Sequence, residues 1–180
     1  MRHYKYKMTA AGMLAAAFLT LGGCAGAVED GAELLEAGDY AGAMEKFQAS
    51  VEKGKDLAEA YRGIGICYWE EEAYADAEDA FEKALDNGTE ATAELYHMMG
   101  ICEMKAGSAT KAAYYFMNGQ KKEGASPELM QEMAFNEIAA LEAAGDFSSA
   151  KYKLESYVAA YPEDEKAAKE LEFLRTQTSE

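Results

Sequence analysis

The feature that most constrains the fold is an internal repeat, in which four kinds of position recur with the same three spacings. Small residues recur at Ala43, Ala77, Ala112 and Ala150, so that the steps are 34, 35 and 38 residues. The same steps relate three further series: Phe47, Phe81, Phe116 and Leu154; Gly31, Gly65, Gly100 and Ile138; and Gly38, Glu72, Gly107 and Gly145. Four independent series with one set of spacings indicate a chain built from repeated units that pack on their neighbours.

Each unit has the pattern of two helices joined by a short turn. Apolar residues at helical spacing predict helices over 58–71 and 74–86 in one unit, and over 93–106 and 109–122 in the next. Because the turns are short, the two helices of a unit must pack antiparallel. The chain contains only two prolines, which also favours helices joined by tight turns. A loop follows at 121–125, and Ser126-Pro127-Glu128 then reads as the start of another helix.

The second and third units resemble the tetratricopeptide repeat. The positions that carry the resemblance are Gly65, Tyr68, Ala77, Phe81, Gly100, Ala112 and Phe116, and Ala150 continues them in the fourth unit. The resemblance implies an all-α, right-handed solenoid of about four helix hairpins. Its units would lie at about 27–57, 58–92, 93–126 and 127–162, followed by a C-terminal capping helix and tail at 163–180.

The first 24 residues have the pattern of a lipoprotein export signal. Arg2, Lys5 and Lys7 form a basic start, and an apolar stretch of about 14 residues follows, which is short for a membrane span. Leu21-Gly22-Gly23-Cys24 resembles the lipobox of bacterial lipoproteins. That resemblance implies that residues 1–23 are cleaved and that Cys24 carries a diacylglycerol, with residues 24–26 as the tether. The rest of the chain would then face away from the cytoplasm, on the outer membrane if the organism has two.

The resemblance to the tetratricopeptide repeat also indicates a binding face, which we call the inner strip. In that family the first helix of each hairpin lines a concave side that usually takes a peptide or helix from a partner. The corresponding residues here are Arg62, Ile66, Trp69, His97, Ile101, Met104, Phe135, Asn136, Ala139 and Glu142. The apolar members are expected to form an exposed hydrophobic strip. The alternative is that they pack against neighbouring helices, as apolar stripes at helical spacing usually do.

The chemistry of the inner strip limits its partner. Arg62 is its one fixed cation, so the strip is unlike the Lys/Asn/Arg clamp with which some tetratricopeptide domains bind a C-terminal carboxylate. An apolar or amphipathic peptide with basic flanks fits better, with His97 and Asn136 as hydrogen-bonding groups. Nucleic acid is not expected as a partner, because the net charge is -16.

Enzyme chemistry has little support in this sequence. His97 is the one histidine after residue 23, and no phosphate-binding loop, HExxH or nucleophile elbow occurs. We therefore expect a non-catalytic scaffold without cofactor or metal. Self-association as a structural protein is the alternative, and an envelope enzyme is less favoured. Cys67 and Cys102 occupy equivalent repeat positions and are expected as buried thiols, with a disulfide as the alternative.

Overall fold

The computed structural model describes residues 26–177, which form nine α-helices and no strand. The helices are α1 (Ala27–Glu36), α2 (Tyr40–Glu52), α3 (Leu57–Glu70), α4 (Tyr74–Asp86), α5 (Ala93–Ala106), α6 (Ala109–Gly119), α7 (Pro127–Ala143), α8 (Phe147–Ala160) and α9 (Glu165–Gln177). The first eight pair as hairpins. The described residues divide into two units, with the boundary between Ala91 and Thr92. The predicted signal segment 1–23 and Cys24 lie outside the described residues.

In the first unit, α1 to α4, phenylalanine rings pack directly on glycines of facing helices. A Cβ atom added to Gly65 of α3 would come within 2.4 Å of the Phe81 ring of α4. Phe47 of α2 has glycines on two sides, since a Cβ would approach its ring to 2.8 Å at Gly31 of α1 and to 2.4 Å at Gly63 of α3. Both rings are completely buried. The absence of a side chain at these glycines therefore lets the helices approach closely.

The second unit, α5 to α9, repeats this packing once and then departs from it. A Cβ atom on Gly100 of α5 would come within 2.5 Å of the Phe116 ring of α6. In the next hairpin Ile138 of α7 stands where the glycine would be, and it is buried in a cluster with Leu154 of α8. Helix α9 packs on α8 and closes this cluster with Ala167, Leu171 and Leu174. Its other residues are exposed or half-buried, as in a terminal cap.

The turn inside each hairpin uses one backbone conformation. Gly38, Gly107 and Gly145 have φ angles of 78°, 85° and 80°, in the left-handed region that glycine adopts without steric cost. The equivalent Glu72 has φ 58° and is therefore a side-chain-bearing residue in the same region. The repeat thus extends to the backbone of its turns.

Two helix ends refine the sequence prediction. Helix α6 ends at Gly119, three residues earlier than predicted, because Lys121 N donates to Asn118 O and Lys122 N to Gly119 O, one residue short of the α-helical pattern. Helix α7 begins at Pro127, where the Ser126 hydroxyl accepts a 3.1 Å hydrogen bond from Leu129 N. Among residues 26–177, no helix is both long enough and apolar enough to cross a bilayer.

Candidate protein-interaction surface

The structure buries most of the inner strip. Ile66, Trp69 and Ile101 are only 5%, 7% and 3% exposed, so the expectation that they form an exposed hydrophobic surface is wrong. His97, Asn136 and Ala139 are also buried, whereas Arg62, Met104, Phe135 and Glu142 remain half-buried. The physical reason is that the first helix of an internal hairpin has packing partners on several sides, so that its second apolar face is covered as well.

In the first unit the strip lies on α3, which packs against α1, α2 and α4. Trp69 contacts Tyr74 edge to face, with ring centroids 5.6 Å apart. Burial lowers the pKa of the Arg62 guanidinium, and the nearby Glu59 carboxylate opposes that shift. Trp69 therefore contributes to the core of the first unit, and Arg62 is the member of this part of the strip that keeps solvent contact.

In the second unit the strip centres on a buried histidine of α5. Nε2 of His97 lies 3.4 Å from Asn136 Nδ2 and 3.6 Å from Glu132 Oε1, both on α7. Its ring also contacts Phe116, with centroids 5.9 Å apart. Burial lowers the pKa of His97 to about 4, and the Glu94 carboxylate acts in the opposite direction. His97 is thus neutral near pH 7, and Asn136 Nδ2 can donate a hydrogen bond to its Nε2 in the tautomer that carries the proton on Nδ1.

The accessible apolar residues of the strip are Met104 on α5 and Phe135 on α7, which belong to the same unit. Phe135 is held by Tyr157, with ring centroids 5.6 Å apart. Methionine is flexible and polarizable, which suits it to contact with a partner of variable shape. Together with the half-buried Glu142, these residues form the part of the strip that a partner can reach.

Two buried carboxylates on the second unit were not identified from the sequence as paired groups. Glu103 of α5 is 2.8 Å from Lys111 Nζ of α6. Glu137 of α7 is 3.0 Å from Lys153 Nζ of α8 and accepts a 2.8 Å hydrogen bond from Gln120. Glu137 of the fourth helix hairpin stands where the second and third hairpins have Ile64 and Met99, so its register predicts an apolar residue. The sequence feature that could have revealed the pair is Lys153, sixteen residues after Glu137 and on the facing helix α8.

Removing Lys153 and removing Glu137 should have different effects on the stability of the folded chain. Replacing Lys153 by methionine leaves a buried carboxylate supported by Gln120 alone and should cost about 2 kcal/mol, less than the ~3–5 kcal/mol of a fully buried pair because Lys153 is 40% exposed. Glu137→Met removes the buried charge and should be neutral or stabilising. Denaturant unfolding measures both. Lys169→Met breaks an exposed pair with Glu165 and should change little. Equal losses for Lys153→Met and Lys169→Met would contradict this account.

Cys67 and Cys102, the two cysteines among residues 26–177, are completely buried thiols. Burial, helped by the Glu71 carboxylate, raises the pKa of Cys67 to about 12. Because the thiolate is the reactive form, we expect Cys67 in the folded chain at pH 8 to react with a thiol reagent at least ~100-fold more slowly than Cys67 in the denatured chain. Stopped-flow absorbance checks the rates, and rapid reaction of Cys67 in the folded chain would contradict the expectation.

No group of three potential metal ligands among His, Cys, Asp and Glu occurs in the part of the chain that the structure describes.

No family model matches the chain, and no curated protein matches it. Solved structures do. YrrB, described as a TPR protein with an unusual peptide-binding site, aligns with a TM-score of 0.72 and 22% identity over 85% of this chain and 76% of YrrB. MamA aligns with a TM-score of 0.66 and 15% identity over 83% of this chain and 84% of MamA. A TPR repeats protein from Bacteroides fragilis NCTC 9343 aligns with a TM-score of 0.53 and 18% identity over 73% of this chain and 60% of that protein.

At these identities the likeness shows the fold. The described part of the chain has the all-α fold of tetratricopeptide-repeat proteins, and the fold class predicted from the sequence is confirmed.

Proposed function

We propose that this chain is a bacterial lipoprotein whose tetratricopeptide-repeat domain binds another protein and has no catalytic role. The helical-hairpin repeat is the observation that carries the proposal. A structurally similar protein, YrrB, is described as having a peptide-binding site. In this chain the partner is a peptide or helix with an apolar face, and it contacts the accessible part of the inner strip around Met104 and Phe135.

The proposed anchor is a diacylglycerol on Cys24, which supports a location on the outer face of a membrane. Its support is the order of features in the sequence: a basic start, a short apolar stretch, and Leu21-Gly22-Gly23 before the cysteine. Loss of Arg2, Lys5 and Lys7 with the signal would change the net charge from -16 to -19. Such a domain is repelled by anionic lipid headgroups, which would favour its extending away from the membrane.

The anchor is tested by metabolic labelling with a fatty-acid analogue. Wild type should take up label and remain in the membrane fraction, whereas Cys24→Ser should lose both properties. Label that persists in Cys24→Ser would show that the lipobox reading is wrong.

The binding role is tested by crosslinking and affinity capture from native membranes. Wild type is compared with Met104→Glu, which places a carboxylate on the accessible part of the strip. Met117→Glu is the matched control, because Met117 is also half-buried but lies on α6, the other helix of the same hairpin. Circular dichroism verifies that all three chains are folded. A partner captured by wild type and the control but lost with Met104→Glu supports the proposal, and a partner retained by all three contradicts this site.

Self-association is the second candidate function. Tyr114 and Tyr152 occupy equivalent positions of α6 and α8 and are 56% and 70% exposed, which provides aromatic surface for contact between copies. Light scattering on the chain with and without Tyr114→Ser and Tyr152→Ser separates the two roles. A stable monomer at micromolar concentration would exclude self-association as the function.

A further inference from the structure

The first unit has a recess on a different face of α3 from the one that carries the inner strip. Its volume is about 310 Å³, and it is bounded by α2, α3 and α4. The residues that give it chemical character are Glu52, Tyr61, Tyr68, Asp76, Asp79 and Lys83. The tyrosines are half-buried and form its wall on α3, while the four charged residues are exposed at its edge on α2 and α4.

Lys83 of this chain shows how a cation fits the recess. Its Nζ donates a hydrogen bond to Asp79 Oδ2 and lies 5.9 Å from the centroid of the Tyr61 ring. This distance is within the range in which an ammonium is attracted by an aromatic face. The recess thus already combines an aromatic ring and a carboxylate around one positive charge.

The charge of the recess is not balanced by Lys83. Three carboxylates face one ammonium, and that ammonium is bonded to Asp79. Glu52 and Asp76 take part in no ion pair within the described residues. Glu52 lines the recess from the end of α2, and Asp76 lines it from the first turn of α4. An anion would be repelled there, and a purely apolar group would desolvate carboxylates without compensation.

We propose that this recess binds a lysine or arginine side chain of a partner protein, with Tyr61 and Tyr68 as its aromatic wall and Glu52 and Asp76 as its anionic groups. The inference goes beyond the proposed function, because the recess lies on another face of α3 and needs neither the lipid anchor nor the inner strip. Lys83 occupies part of the recess and competes with the incoming cation.

The test uses the full chain in a nonionic detergent, with fluorinated tyrosine in place of tyrosine and fluorine NMR as the readout. Tyr61→Phe and Tyr68→Phe assign the two resonances. N-acetyl-arginine amide and N-acetyl-lysine amide should shift both resonances saturably. N-acetyl-citrulline amide, which has nearly the shape of the arginine compound without its charge, should not. A citrulline response equal to that of arginine would overturn the proposal.

Charge variants distinguish the recess from the general acidity of the chain. Glu52→Gln with Asp76→Asn should weaken binding about tenfold. Glu45→Gln with Asp86→Asn removes the same charge from exposed positions of α2 and α4 outside the recess and should change binding less than about twofold. Equal weakening by the two double variants would overturn the proposal, since it would indicate diffuse attraction.

A third variant tests the competition by Lys83. Lys83→Met removes the internal cation and should tighten binding of N-acetyl-arginine amide by about threefold. Unchanged or weaker binding overturns the proposal. Binding of spermidine without binding of either amino-acid amide also overturns it, because the site would then take a free polyamine and not a protein side chain.

Discussion

Gly65→Ala should destabilise the wild-type chain and stabilise the same chain once Phe81 is replaced by alanine. In the wild type the new Cβ atom would lie 2.4 Å from the Phe81 ring, which is completely buried, so the substitution overpacks the core at a cost of about 1–3 kcal/mol. Phe81→Ala alone should cost about 3–5 kcal/mol. With the ring removed, Gly65→Ala fills space and restores about 1 kcal/mol of helix propensity.

The measurement is a double-mutant cycle by chemical denaturation followed with circular dichroism. Phe173→Ala is the matched control, because Phe173 on α9 is 43% exposed and its truncation should cost less than about 1 kcal/mol. If Gly65→Ala destabilised both backgrounds by the same amount, the contact between Gly65 and Phe81 would not be what requires glycine at this position.

This contact shows how far the repeat pattern predicts structure. The glycine and phenylalanine series share one set of spacings, and the Gly65–Phe81 and Gly100–Phe116 contacts each join a member of one series to a member of the other within one hairpin. Gly63 was not identified, although it lies against Phe47 as closely. Its partner comes from the preceding hairpin, and a pattern internal to one unit does not reveal a contact between units of the repeat.

The prediction that the inner strip is an exposed hydrophobic surface was wrong for a different reason. Ile66, Trp69 and Ile101 have the helical spacing of a surface groove, and the same spacing is typical of a second packing face. Periodicity gives the direction of a side chain about its own helix but not what lies opposite. The contact of Trp69 with Tyr74 and its burial, which only the structure gives, therefore show that it is a core residue. The predicted lipidation of Cys24 and the predicted repeat boundaries remain predictions.

Glu137 shows that a site built from several helices is hard to predict from the sequence. A carboxylate in an apolar register looks like a departure from the repeat, although the structure surrounds it with Lys153 and Gln120 from two other helices. The recess on the first unit likewise combines residues of three helices. Sites assembled from several helices require the packing to be known, whereas the hairpins themselves follow from local pattern.

Stability should fall by about 3 kcal/mol through His97 alone as the pH is lowered from 6.5 to 4. Burial lowers the pKa of His97 to about 4 in the folded chain, against about 6.5 in the unfolded chain. The unfolded chain therefore takes up a proton first. The contribution of the neutral imidazole is fully present above about pH 6.5 and is lost as the pH falls toward the pKa of the folded chain.

The groups that face His97 also influence how stability depends on pH. Glu94 opposes the larger effect of burial on the pKa of His97, and Asn136 is uncharged. Burial raises the pKa of Glu132, whose Oε1 lies 3.6 Å from the imidazole. Glu132 acts in the opposite direction, because the folded chain then binds its proton more readily than the unfolded chain. Its titration partly masks the loss caused by His97 at the acid end.

The measurement is the free energy of unfolding from pH 7.5 to 4 for wild type, His97→Gln and Glu132→Gln. His97→Gln keeps a hydrogen-bonding group beside Asn136 but does not titrate, so its stability should fall about 3 kcal/mol less than that of wild type over this range. Glu132→Gln should make the decline steeper than in wild type. The carboxylates elsewhere in the chain are common to all three proteins and cancel in the comparison. Parallel curves for wild type and His97→Gln would mean that the pKa of His97 is the same in the folded and unfolded chains, which would contradict the lowering of that pKa by burial.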